Sequence, residues 1–248
     1  GQISFVAGGA PPTFSCQQHR PNAMAPRTAV GGVALAFGGY PVVRNVAGRT
    51  GLLGRLPGDE PIGEDALKWS VIGVLLAYVV IVENAGLTSI GARLPEPVPI
   101  LGVDGVAGLV GWWLLGVLGT VVLSTVVYNV FVHFDLGTSE EFSAEQAERS
   151  APAFLFTAIT AGVTESVLYQ GYPIERLAAL TGSLLLAGVV AWLVFTAVHY
   201  ASGRFSAEET LFTSAPALAM TVLYVLSGSV YVVVLAHGTV NALSFLSQ

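Results

Sequence analysis

The chain has 248 residues, 53% hydrophobic and 10% charged, with net charge −6 and mean hydropathy +0.70. Soluble domains carry roughly 25% charged residues, and a chain of this length facing water needs a polar surface, so an ordinary soluble domain is excluded. The lack of a basic tract sets nucleic-acid binding aside, and the single cysteine, Cys16, excludes an internal disulfide framework and a Cys-rich metal site.

Residues 1–27 are rich in Pro, Gly and polar residues. They lack the charged n-region and apolar h-region of a secretory signal. This segment is expected to be unstructured or non-native, with the natural start near Met24. Residues 28–248 read as one membrane domain. A span needs about 20 mostly apolar residues, and candidate spans fall at 28–43, 69–88, 106–132, 151–172, 182–201, 209–227 and 229–247. The first is short and glycine-rich. The fold class is therefore all-α, a polytopic transmembrane helical bundle of six or seven spans. Barrel strands would alternate apolar and polar residues, and that pattern is not seen.

The connections carry their own signals. Gly86, Pro95, Pro97 and Pro99 mark the loop before the third span. Thr138–Glu141 and Ser206–Glu209 both fit the capping box that opens a helix, Gly182 and Gly203 fit helix C-termini, and Pro152 fits a first turn. Arg44, Arg49, Arg55 and Lys68 make 44–68 the most basic connection, which the positive-inside rule places in the cytoplasm. Glu83 and His133, at the ends of their spans, read as interface markers. The acidic, lysine-poor loops hint at a high-salt habitat, and the expected location is the plasma membrane of a prokaryote.

Three polar intrusions interrupt the apolar C-terminal segments: Glu165, His199, and His237 with Asn241. Ionisable groups at bilayer depth are costly and mark functional sites by default. His237 and Asn241 stand at i,i+4 and share a helix face, as do Phe195 with His199 and Glu165 with Tyr169. Each group alone could be hydrogen-bonding glue between helices; three consecutive segments together point to one shared site. A carboxylate facing imidazoles can activate water as a general base, with His or Asn stabilising the oxyanion. Alternatively, Glu165, His199 and His237 could hold a divalent metal whose bound water is the nucleophile. Both schemes hydrolyse an amide.

The order of these motifs resembles the CPBP family of intramembrane proteases, the CAAX prenyl endopeptidase and bacteriocin-processing (Abi) group. Its EExxxR motif corresponds to Glu165-Ser-Val-Leu-Tyr-Gln-Gly171, FxxxH to Phe195–His199, and HxxxN to His237–Asn241, within residues 151–247. The resemblance implies an all-helical membrane protease that cleaves a membrane-embedded or lipidated substrate near its C-terminus, its site open to membrane lipid. It gives Glu165 the role of activating water with the help of His199. His237 and Asn241 would bind the oxyanion or, in a metalloprotease description, help hold zinc. Two positions depart from the motif: Ser166 replaces the second Glu and Gln170 the Arg. Those two charges would pair, so losing both strands neither. The departures leave two functions open: an endopeptidase, or a catalytically weak relative acting as a membrane binding or immunity-type protein. A transporter using the same groups as an ion path is a third reading, and no broken-helix repeat supports it.

Overall fold

The computed structural model describes residues 25–52, 54, 60–99, 102–134, 151–201 and 206–246. Residues 1–24, the Thr138 capping box and Gly203 lie outside the described residues. The helices are α1 (Pro26–Arg49), α2 (Glu60–Ala77), α3 (Gly105–His133), α4 (Ala151–Glu165), α5 (Tyr172–Thr181), α6 (Leu184–Ala201), α7 (Ala207–Ser227) and α8 (Val230–Leu246). Two π-helical turns, Tyr78–Val82 and Ser166–Gly171, extend α2 and join α4 to α5. The second makes Ala151–Thr181 one 31-residue apolar rod.

Among the described residues five helical stretches are long and apolar enough to cross a membrane: Ile62–Val82, Gly105–His133, Ala151–Thr181, Leu184–Ala201 and Glu209–Ser227. The apolar part of α8, Val230–Ser244, is shorter. The first candidate, 28–43, widens to a 24-residue helix carrying Pro41 in its interior, and it is not among the five. The bundle is an all-helical integral membrane protein. Among the described residues the only strand-like pairing is an isolated bridge, Val98 with Val103.

Local signals set several boundaries. Ser206 accepts from the Glu209 amide at 3.1 Å while Glu209 accepts from the Ser206 amide at 2.7 Å, a complete capping box. Gly182 closes α5 at φ 70°, a left-handed position that costs glycine little. The span expected at 69 begins earlier, at Ile62 inside α2. This shift takes Lys68 out of the connection and into the bundle.

The packing direction follows from the cross-links. Asp65 pairs with Thr157, Trp69 with Thr160, and Glu83 with Arg176, so α2 runs alongside the α4–α5 rod in the same direction. On the other flank α4 crosses α8 at closest approach. A Cβ on Gly162 would lie 2.9 Å from the Gly238 nitrogen and 3.0 Å from its Cα. Small residues let membrane helices approach this closely. Because backbone cannot give way as a side-chain tip can, Gly162→Ala is expected to lower stability by about 1–3 kcal/mol. A Cβ on Gly238 meets nothing nearer than Ala158 O at 4.0 Å, so Gly238→Ala serves as the near-neutral control. Thermal unfolding in detergent checks both, and equal effects would contradict the crossing geometry.

Candidate functional site

Glu165 is the last residue of α4, immediately before the Ser166–Gly171 π-turn. π-turns inside α-helices are frequent at functional sites. The position lies midway along the rod, and the side chain is 15% exposed. Its Oε1 accepts from Lys68 Nζ at 2.8 Å. Among the described residues Oε2 makes no hydrogen bond, which leaves it as the oxygen able to take a proton.

The structure brings His199 and His237 within electrostatic reach of that carboxylate. His237 in turn interacts with His199 and Lys68. His199, one turn after Phe195 on α6, places Nδ1 2.9 Å from the Phe195 carbonyl. A carbonyl can only accept, so Nδ1 carries the hydrogen in this contact. The ring also stacks on Phe195, 4.1 Å between centroids, and Phe195 meets the buried Tyr169 edge-on at 5.0 Å. On α8 the His237 Nδ1 is buried and has no hydrogen-bond partner among the described residues. Such an orphaned polar atom is rare and calls for an explanation. Asn241 follows one turn later on α8 and is half-buried.

The two motif departures are also visible. Ser166 and Gln170 are buried in the π-turn, and among the described residues Ser166 Oγ and Gln170 Oε1 have no partners. No charge enters the interior at either position.

Lys68 is the group the sequence reading missed as a site residue. It is the only lysine in the chain, and it stands inside a span, where an ammonium is costly. Assigning it to a basic connection hid that signal. Glu83 needs correction too: it does not mark an interface. Its side chain is fully buried, paired with Arg176 through Nη2–Oε2 at 2.6 Å and accepting from Tyr172 OH at 2.5 Å. His133, in contrast, is exposed at the end of α3, as expected.

The donor set fits zinc poorly as arranged. Among the described residues no three His, Cys, Asp or Glu side chains gather closely enough to hold a metal ion, and an ammonium already occupies Glu165 Oε1.

The fold and the polar interior define a polytopic helical membrane protein with buried ionisable groups where its C-terminal helices meet. The model of the family described as type II CAAX prenyl endopeptidase Rce1-like matches residues 147–243. Through this region, which contains Glu165, His199, His237 and Asn241, the chain is similar to the CPBP/CAAX protease family. No curated protein and no solved structure matches the chain.

Proposed function

We propose that the chain is an intramembrane endopeptidase that hydrolyses a peptide bond in a membrane-associated or lipidated protein. The observation that carries this reading is a single carboxylate, Glu165, at a π-turn midway along an apolar 31-residue rod, with two imidazoles in electrostatic reach. The family match over the same helices supports it.

Glu165 Oε2 accepts a proton from water as the water oxygen attacks the scissile carbonyl carbon. His199 assists by orienting that water. His237 and Asn241 donate to the oxyanion of the tetrahedral intermediate. When the intermediate collapses, the C–N bond breaks and the proton held by Glu165 passes to the leaving nitrogen. One water is consumed, and a carboxylate and an amine are released.

The test is cleavage of lipidated or membrane-tethered peptides by purified protein in liposomes, with and without a metal chelator. Wild type should cleave in both conditions. His237→Ala should lower kcat by about 10²-fold or more, the range for loss of one oxyanion donor. A wild type that cleaves nothing across a broad panel defeats the reading, as does full activity in both Glu165→Ala and His237→Ala.

The buried, uncharged Ser166 and Gln170 favour a second reading, a relative retained for membrane binding. Its cellular function would then survive Glu165→Ala. Under the protease reading, Ser166→Glu combined with Gln170→Arg tests whether the restored pair tunes turnover.

A further inference from the structure

We propose that Lys68, reaching from α2, is a positioning residue that fixes the Glu165 carboxylate for proton transfer. This rests on the reading of Glu165 as the general base. Lys68 Nζ donates to Glu165 Oε1 at 2.8 Å, and both side chains are 15% exposed. The helix that carries Lys68 is tied to α4 on either side of it. Thr157 Oγ1 donates to Asp65 Oδ2 at 2.9 Å, and Trp69 Nε1 donates to Thr160 Oγ1 at 3.1 Å. Residues 65, 68 and 69 stand at the i, i+3, i+4 spacing of one helix face, and all three bond to the rod. A lysine stem is ordinarily free to rotate; here the Tyr40 ring lies 5.6 Å from the ammonium and the cross-linked face fixes its base.

The cation that an arginine at position 170 would supply is absent. Gln170 is neutral and buried, with its Oε1 unpartnered among the described residues. Among the described residues only Lys68 bonds to the Glu165 carboxylate. The geometry divides the two oxygens: Oε1 is anchored, and Oε2 is held in a set direction to meet water. Displacing a catalytic group by about 1 Å can cost 10²-fold in rate, so losing the anchor falls on turnover and leaves substrate binding alone.

The experiment is steady-state cleavage by Lys68→Met, Lys68→Arg and Glu165→Gln in liposomes. Lys68→Met should lose about 10²-fold in kcat with KM unchanged, and Lys68→Arg, which keeps the charge, should recover most of it. Wild-type or raised kcat in Lys68→Met overturns the proposal, as does a change confined to KM. A Glu165→Gln variant that is inactive beside a fully active Lys68→Met defeats the positioning role alone. Full activity in Glu165→Gln defeats the general-base reading instead. If Lys68→Met does not accumulate, Lys68→Ala with added short alkylamines reads the same quantity: regained kcat supports the role, and no regain overturns it. Independently of turnover, the Lys68→Met/Glu165→Gln double variant should melt higher than either single variant. Additive losses would show that the two groups are not coupled.

Discussion

Arg176→Met should cost about 3–5 kcal/mol of stability, because it leaves the Glu83 carboxylate buried without its partner. The Glu83 side chain is fully buried and that of Arg176 is 3% exposed. The guanidinium is fully engaged. Nε reaches Glu83 at 3.1 and 3.2 Å, Nη2 reaches it at 2.6 Å, and Nη1 and Nη2 donate to the Ser89 carbonyl and hydroxyl at 2.8 and 2.9 Å. The Tyr172 ring packs 4.9 Å from Arg176 Cζ. The cluster ties the end of α2 and the Leu87–Ile90 turn to α5, with Gly32 of α1 bare against the Tyr172 hydroxyl. Removing both charges is a different experiment. Glu83→Gln with Arg176→Met strands no ion, and such swaps are often nearly neutral. The double variant should therefore melt well above Arg176→Met in detergent. A single variant as stable as wild type, or a double variant no better than the single, would show that the pair is not the buried lock its geometry describes.

The helical class and the C-terminal spans were legible in the sequence because apolar runs of span length leave few alternatives. The order Glu165, His199, His237–Asn241 was legible because ionisable residues stand out at bilayer depth. Lys68 stands out in the same way. It was lost because the span boundary was set by hydropathy at 69, while the helix starts at Glu60 and tolerates Glu64 and Asp65 inside the bundle. Those two acids are kept by partners no local pattern reveals, Arg44 at 3.0 Å for Glu64 and Thr157 at 2.9 Å for Asp65. Glu83 was misread for the same reason, since its partner Arg176 lies 93 residues away. The π-turns left no sequence signal either. Each adjoins a carboxylate of the interior: Tyr78–Val82 ends just before Glu83, and Ser166–Gly171 begins just after Glu165.

Glu165→Gln should reduce kcat by about 10²–10⁴-fold, the range for a positioned general base, with little change in KM. Glutamine keeps the shape of the side chain and can still accept from Lys68, but its amide does not take up a proton from water. An interaction needed only in the transition state lowers kcat and kcat/KM together, so this pattern separates base chemistry from substrate binding. Stability needs separate control, because Lys68 then faces a neutral partner in a low-dielectric site and the variant should melt lower than wild type. Adding Lys68→Met to Glu165→Gln removes that stranded ammonium and should return much of the lost stability without returning any turnover. A double variant that is folded and inactive assigns the lost rate to the missing base. Wild-type kcat in Glu165→Gln would remove the carboxylate from the reaction and leave His199, His237 and Asn241 without a base.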